Sequence, residues 1–297
     1  MLVQANDIER VVSAVAEEKT HAFILRYWGE RREQGGEPPS TFLTDDNAAP
    51  GVLAVRQGAN FTMLARELAG YRRLADDLVS ERIEQDPPWP EEQTRGDWEH
   101  WMLAKGLFVN ASPLVLWEMM QDAGFEPDPN ERKQRHAYLW TIEGEPRFGH
   151  MMRHSCRLGE GEELWELLRQ GISYDSEGEY VRRCLRRGPS FVCEVNGEKV
   201  CWASTHLNGT MGMIYTPPQH RRKGYARSLA AFQIDHMLKT CGVACAHVVS
   251  TNVESESMMR SLGARRIHDP VVWRTLYWPG EAEKAQRRRQ ESMKQPT

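Results

Sequence analysis

The stretch Gln219-His-Arg-Arg-Lys-Gly-Tyr-Ala-Arg-Ser-Leu229 limits the folds open to this chain more than any other feature. It follows an apolar, β-prone run at Met211–Thr216 and opens an apolar-periodic segment that reaches Thr240. This reads as a strand turning into a helix. The first N–H groups of a helix have no acceptor inside it, and the aligned peptide dipoles add positive potential at the same place. Arg221, Arg222, Lys223 and Arg227 surround that start, and Gly224 admits close approach of a ligand to the backbone. The stretch is a candidate anion cradle; a basic helix start with an ordinary cap is the other reading of the same residues.

Two common cradles are excluded. The chain has no Gly-x4-Gly-Lys-Ser/Thr, as a P-loop requires, and no Gly-x-Gly-x-x-Gly, as a dinucleotide fold requires. Its 297 residues are enough for two domains with separate cores. With 27% charged and 40% apolar residues the composition is that of a soluble globular protein. The net charge of −4 hides an asymmetry: up to Glu145 there are 15 Lys/Arg against 26 Asp/Glu, and beyond it 23 against 16. A basic half that also holds the cradle suits a polyanionic ligand. The basic residues are otherwise scattered and form no nucleic-acid-binding motif, so nucleic acid is not an expected partner.

The six cysteines include no Cys-x-x-Cys pair, which predicts free thiols in a reducing compartment and no metal site. No run of eighteen apolar residues predicts a membrane span. Asp7, Glu9, Glu17 and Glu18 in an amphipathic pattern fit neither a secretory signal nor an acid-poor transit peptide. A cytoplasmic protein is expected.

Helical spacing is found at Ile8–Val15, Ala22–Tyr27, Leu64–Leu78, Trp98–Lys105 and Ser112–Ala123. Extended runs stand at Thr41–Leu43, Gly51–Val55 and Ala137–Ile142, with loops at 33–40, 86–97 and 124–130. Glu143-Gly-Glu-Pro146 is the expected boundary: an acidic α/β domain at 1–145, a second domain at 146–280, and a polar, basic tail at 281–297. After the boundary come a strand near His150–Cys156, helices near Glu162–Gln170 and Ser176–Arg186, and strands at Ser190–Val195 and Val200–Thr205. Asn196-Gly197 is a hairpin turn between those two strands. Then follow Thr210–Thr216, the basic helix, Val243–Ser250, a helix near Ser255–Leu262, and extended Arg265–Ile267 and Val271–Tyr277. No internal repeat is obvious.

Arg221-x-x-Gly224-x-Ala226 resembles the pyrophosphate loop of the GNAT acyltransferase superfamily. Asn252-x-x-Ser255-x-x-Met258-Met-x-x-Leu262-Gly263 resembles that superfamily's second motif, at the correct distance, and the element order of the second half matches. The implied fold is α/β: a mixed, mostly antiparallel sheet with flanking helices, preceded by a degenerate GNAT-like N-terminal domain. Val200-Cys-Trp202, His247-Val248, Trp273 with Trp278-Pro279, and Trp98-x-His100 followed by Tyr138-Leu-Trp are similar to the glycine N-acyltransferase-like family. That resemblance implies acetyl-CoA or another acyl-CoA as co-substrate and direct transfer to a small-molecule amine or amino acid. It also adds mitochondria as an alternative compartment. The pyrophosphate would rest on the N–H groups of Arg222, Lys223, Gly224, Tyr225, Ala226 and Arg227 beside Arg221. Ile214, Tyr215 and Thr216 would pair with the pantetheine. Asn252 would order the strand end or the pantetheine, or simply cap a helix.

The chain departs from the pattern twice. Met259 stands where the superfamily often has a thiolate-protonating Tyr, and a thioether has no proton to give. Thr210 stands where glycine-conjugating relatives carry a proposed base Glu. His247, five residues before Asn252, is the replacement base, with a structural strand histidine as the alternative. His206 and His220 read as exposed, and Cys245 as a buried apolar residue and not a nucleophile. Two other functions stay open: a protein or peptide N-acetyltransferase, and a CoA-binding protein without turnover. The sequence carries no signal for oligomeric state.

Overall fold

The computed structural model describes residues 3–15, 41–57, 60–65, 67–80, 106–128, 136–171, 179–277, 279–284 and 286–287. By contacts the described residues up to Ala137, together with those from Asp269 on, form one compact unit. Those of Tyr138–His268 form another.

In the first unit the strands β1 (Val3–Gln4), β2 (Thr41–Thr44), β3 (Val52–Gln57) and β4 (Asn60–Ala65) pair antiparallel in that order, with helix α1 (Ile8–Val15) between β1 and β2. Helix α2 (Leu68–Ser80) carries the chain to β5 (Gly106–Pro113), which lies parallel to β4. Helix α3 (Leu114–Asp122) and the short β6 (Glu126–Pro127) follow. Val52, Leu53, Ala54 and Val55 are all buried, so β3 is covered on both faces, as a near-continuous apolar run requires. One core gathers Met63, Ala75, Leu116, Trp117, Met120 and Phe125. The Asp45 carboxylate fixes the β2–β3 turn by accepting from the N–H groups of Gly51 and Val52 at 2.9 and 3.0 Å.

The second unit takes in most of β7 (His136–Glu143), then β8 (Ser155–Gly159), α4 (Gly161–Gly171), α5 (Glu179–Arg187), β9 (Ser190–Val195), β10 (Glu198–Thr205) and β11 (Met211–Tyr215). β8 to β11 pair antiparallel in sequence order. Helix α6 (Tyr225–Cys241) crosses to β12 (Val243–Val249), which runs parallel to β11; α7 (Val253–Ser261) and β13 (Arg265–Tyr277) close the order. The far half of β13 returns to the first unit. There Val271–Tyr277 pairs antiparallel with β5, and Leu276 enters the core around Met120. Glu126 fastens the segment beyond it, accepting from Gly280 and Ala282 N–H at 2.9 and 3.2 Å.

One topology thus occurs twice: an antiparallel run of strands, a helix, a strand parallel to the last of the run, and a second helix. No sequence repeat announces it. Within each unit the sheet is mixed and mostly antiparallel, as expected.

Four element assignments need correction. Leu64 belongs to β4, because Asn60–Ala65 finds a full antiparallel partner in β3, and strand pairing overrides helical spacing. Gly106–Pro113 is a strand; Ser112 pairs with Val272, and the helix starts only after Pro113. The segment read as a strand from His150 holds a 3-10 turn at Gly149–Met151, and its strand starts at Ser155. Side chains of α6 bend it: Asp235 accepts the Phe148 N–H at 3.0 Å and Ser228 Oγ the Arg153 N–H at 3.2 Å. The two extended runs after residue 264 are one strand. The helical expectations at Ala22–Tyr27 and Trp98–Lys105, the loops at 33–40 and 86–97, and residues 288–297 of the tail lie outside the described residues. Among the described residues no helix is long and apolar enough to cross a membrane.

Because Leu276 is fully buried in the first unit's core, Leu276→Ala is expected to destabilise that unit by about 2–5 kcal/mol. Amide exchange in β5 and α3 should quicken ahead of exchange in β9 and β10.

Candidate functional site

β11 shapes the site. Against β10 it pairs Met211 with Thr205, Gly212 with Ser204 and Tyr215 with Trp202, so it carries one more residue than its partner over that span. Met213 takes up the extra residue with φ of 52°, a left-handed β-bulge. The bulge turns Met213 and Tyr215 toward Trp202 and the apolar residues of α4 and α5, while Ile214 packs on the α6 side. Along its other edge β11 pairs with β12 only at Met211 and Ala246. Past that pair the strands part, leaving a fork that opens toward the loop after Tyr215.

That loop is the predicted cradle. Pro217 and the 3-10 turn Pro218–His220 lead to Arg222 and Gly224, which hold left-handed φ values of 62° and 86°. A Cβ on Gly224 would meet nothing nearer than His154 Nε2 at 3.8 Å, so the backbone angle, not crowding, calls for glycine. Ser228 is the first residue of α6 to donate back, to the Gly224 carbonyl at 3.0 Å. The N–H groups of Tyr225, Ala226 and Arg227 are therefore left without helix partners, and Gly224 offers no capping side chain. Arg221, Arg222, Lys223 and Arg227 are exposed beside them. Free N–H donors at a left-handed turn, flanked by cations, fit a diphosphate such as that of coenzyme A.

Several contacts brace the loop. Arg221 Nε donates to the Thr216 carbonyl at 2.9 Å, and Thr216 Oγ1 donates to Cys201 Sγ at 3.1 Å. Burial pushes the Cys201 thiol up to about 12, so it stays protonated. His154 Nε2 bonds the Lys223 carbonyl at 3.1 Å, and its ring meets Tyr225 edge-on at 4.5 Å. His220 Nε2 lies 3.0 Å from Glu198 Oε1, so His220 is not a free surface histidine. No motif marks His154, which falls inside the strand expected near His150–Cys156.

The other candidates fall out unevenly. Thr210 is fully buried, and its Oγ1 donates to Asn208 Oδ1 at 2.8 Å within the β10–β11 turn, so its hydroxyl is already engaged. Asn252 Oδ1 accepts the Ser255 N–H at 3.1 Å and caps α7, the alternative left open by its type. His247 is half-buried on β12, one residue past Ala246, and so stands at the closed end of the fork, level with Gly212. Its neighbour Cys245 is buried with Leu139 and Ile267, and burial pushes its thiol far up, leaving no thiolate. Met259 is buried in the core with Trp140 and Leu262.

His206, expected on the surface, is half-buried. Its ring lies on Gly212: a Cβ there would sit 2.0 Å from His206 Nε2. Glycine inside a strand marks a close approach, and Gly212 was the available signal. Burial holds the imidazole pKa down at about 4.

Known proteins share this fold. The model of the FR47-like protein family matches residues 191–274, which span the fork and the cradle. A Drosophila protein of a structural-genomics programme superposes with a TM-score of 0.63 at 15% identity, over 94% of this chain and 98% of that one. A Pyrococcus horikoshii protein described as an acetyltransferase superposes at 0.50 and 12% identity, over 93% of this chain and 89% of that one. A GCN5-related N-acetyltransferase from Kribbella flavida covers 92% of this chain and 96% of its own at 14% identity, with a TM-score of 0.47. No curated protein matches the chain. The chain has the GNAT fold.

The His206 shift fixes a sign for acid stability. As pH falls, an unfolded histidine binds its proton near 6.5, but the folded one resists until about 4. The neutral ring therefore supports folding fully above 6.5, and that support drains away toward 4. His206→Gln is expected to lose less melting temperature than the parent between pH 6.5 and pH 4.

Proposed function

We propose that this chain is an acyl-CoA-dependent N-acyltransferase that moves an acyl group directly to the amine of a small molecule or amino acid. The observation that carries the reading is the pairing of a fork with a cradle. Strands β11 and β12 separate after Met211 and Ala246, and the unpartnered N–H groups of Tyr225–Arg227 stand at the open end. Arg222, Lys223 and Gly224 complete the pyrophosphate site with Arg221 beside it, and Ile214, Tyr215 and Thr216 offer backbone groups to the pantetheine arm. Acyl-CoA, when bound, supplies the acyl group as a thioester. His247 takes the proton of the acceptor ammonium, directly or through water, so that the amine is neutral when it attacks the thioester carbonyl; the C–N bond forms, the C–S bond breaks, and coenzyme A leaves as the thiol with the proton that the new amide nitrogen gives up. Thr210 does not serve as base in this scheme, since its hydroxyl is spent on Asn208. The narrower likeness to the glycine N-acyltransferase-like family supports a small acceptor. The free cysteines support a reducing compartment, the cytoplasm.

The N-terminal domain, 1–145, is in this reading a degenerate copy of the catalytic one at 146–280, followed by the tail. Its strand order supports this. Gly70, in the first turn of α2, is not open, since a Cβ there would come within 2.8 Å of Ala65 Cβ.

A CoA-binding protein without turnover is the second reading, favoured by the engagement of Thr210 and the burial of Met259. Free-thiol release from acetyl-CoA and benzoyl-CoA with a panel of amino acids and peptides separates the readings. Release with amino acids is expected; CoA binding with no acceptor-dependent release would establish the second reading, and release with peptides alone a protein acetylase. In that assay His247→Ala should keep its CoA affinity and lose about 10²–10⁴-fold in rate; an unchanged rate makes His247 structural. Gly224→Trp, which fills the approach and strains a left-handed residue, should weaken CoA binding at least ~100-fold by calorimetry. Unchanged affinity in the folded variant would remove the cofactor assignment.

A further inference from the structure

The fork has an end, and the residue that closes it is His206. A ligand entering from the cradle runs along β11 from Thr216 inward, and it cannot pass Met211, where β11 and β12 pair. The room is four residues of strand, about 13 Å, so its reacting end stops beside Gly212. Gly212 has no side chain to put there, and the His206 ring fills that place, reaching across from just beyond β10 as the diagonal neighbour of Gly212. Trp202 and Ser204 alternate on β10 and so share a face, and Ser204 pairs with Gly212, where the His206 ring lies.

A second observation points to a guest on that face. Trp202 Nε1 and Ser204 Oγ are buried and have no hydrogen-bond partner. A buried donor left unmet costs about 1–3 kcal/mol, and native proteins rarely leave one without water or ligand. An indole N–H can only donate, so what it lacks is an acceptor oxygen. A carbonyl oxygen of a ligand lying along β11 is such an oxygen, since Trp202 pairs with Tyr215 on the path to Gly212.

We propose that His206, held in the Cβ space of Gly212, is the end wall of the acyl site and restricts the enzyme to short, acetyl-sized acyl groups. This rests on the acyl-CoA reading above and adds the substrate class that the reading leaves open. The ring acts by occupying volume; its protonation state is not used. A longer chain has to displace it or forgo the pocket, and a hydrophobic pocket discriminates by about 10-fold or more per methylene.

The test is calorimetric binding of CoA, acetyl-CoA and butyryl-CoA to the full chain and its variants, with no acceptor present. The parent is expected to bind acetyl-CoA at least ~10-fold more tightly than butyryl-CoA, and His206→Ala to reverse or erase that ratio while binding CoA itself as before. Gly212→Ala, whose Cβ drives the ring toward the fork, should weaken acetyl-CoA relative to CoA. If folded His206→Ala keeps the parent's ratio, His206 is not the wall. A parent that binds both thioesters equally overturns the proposal too, yet leaves the CoA reading standing. A parent that binds none of the three ligands fails at the earlier reading, and the wall falls with it. Should His206→Ala not fold, His206→Asn, a smaller side chain that keeps a polar tip, carries the same comparison.

Discussion

Past Met211 and Ala246 two neighbouring strands stop pairing, and the rest of the site follows from that interruption. Open strand edges expose N–H and C=O groups that ordinarily have partners, so a fork persists only where something holds the strands apart. Here it is the left-handed Met213, which bends β11 while its other edge stays bonded to β10. The bulge also resets the alternation. Met213 and Tyr215 turn into the apolar layer under α4 and α5, and Ile214 turns toward α6. Both faces thus anchor a strand whose free edge remains available. The cradle at its end is held by contacts that leave its N–H groups alone: Arg221 and His154 bond carbonyls, and Thr216 bonds a thiol.

The element order of the second half was legible because its signals are local. Asn196-Gly197 is a two-residue hairpin turn with positive φ at both positions, and Gly242 ends α6 in the left-handed region with its N–H on the Leu238 carbonyl. The cradle was legible for the same reason, since helix starts and glycine angles are written in adjacent residues. The geometry that depends on partners was not. Leu64 and Ala65 of β4 also satisfy helical spacing with the residues that follow, and only register with β3 assigns them to the strand. The bend at Phe148–Arg153 depends on Asp235 and Ser228, roughly eighty positions away in the chain. His206 looked like a loop histidine because nothing in its own neighbourhood shows that Gly212 has left it a place.

The two units show how little of the site comes from topology alone. Both run through antiparallel strands, a helix, a parallel strand and a second helix. In the first unit the parallel pair is bonded at Asn60 with Phe108 and Phe61 with Val109, and Gly70 is pressed onto Ala65 and Val52. Its helix start is used for packing. In the second unit, Met213 opens the parallel pair, and Arg222 and Gly224 turn the chain so that the helix start faces outward. Three left-handed residues, one within a strand and two before a helix, separate a packing layer from a candidate ligand site. Substitutions that restore ordinary angles at Arg222 and Gly224 should convert the second kind of unit toward the first while leaving the sheet intact, because neither lies in a strand or in the apolar core that α6 and α7 share.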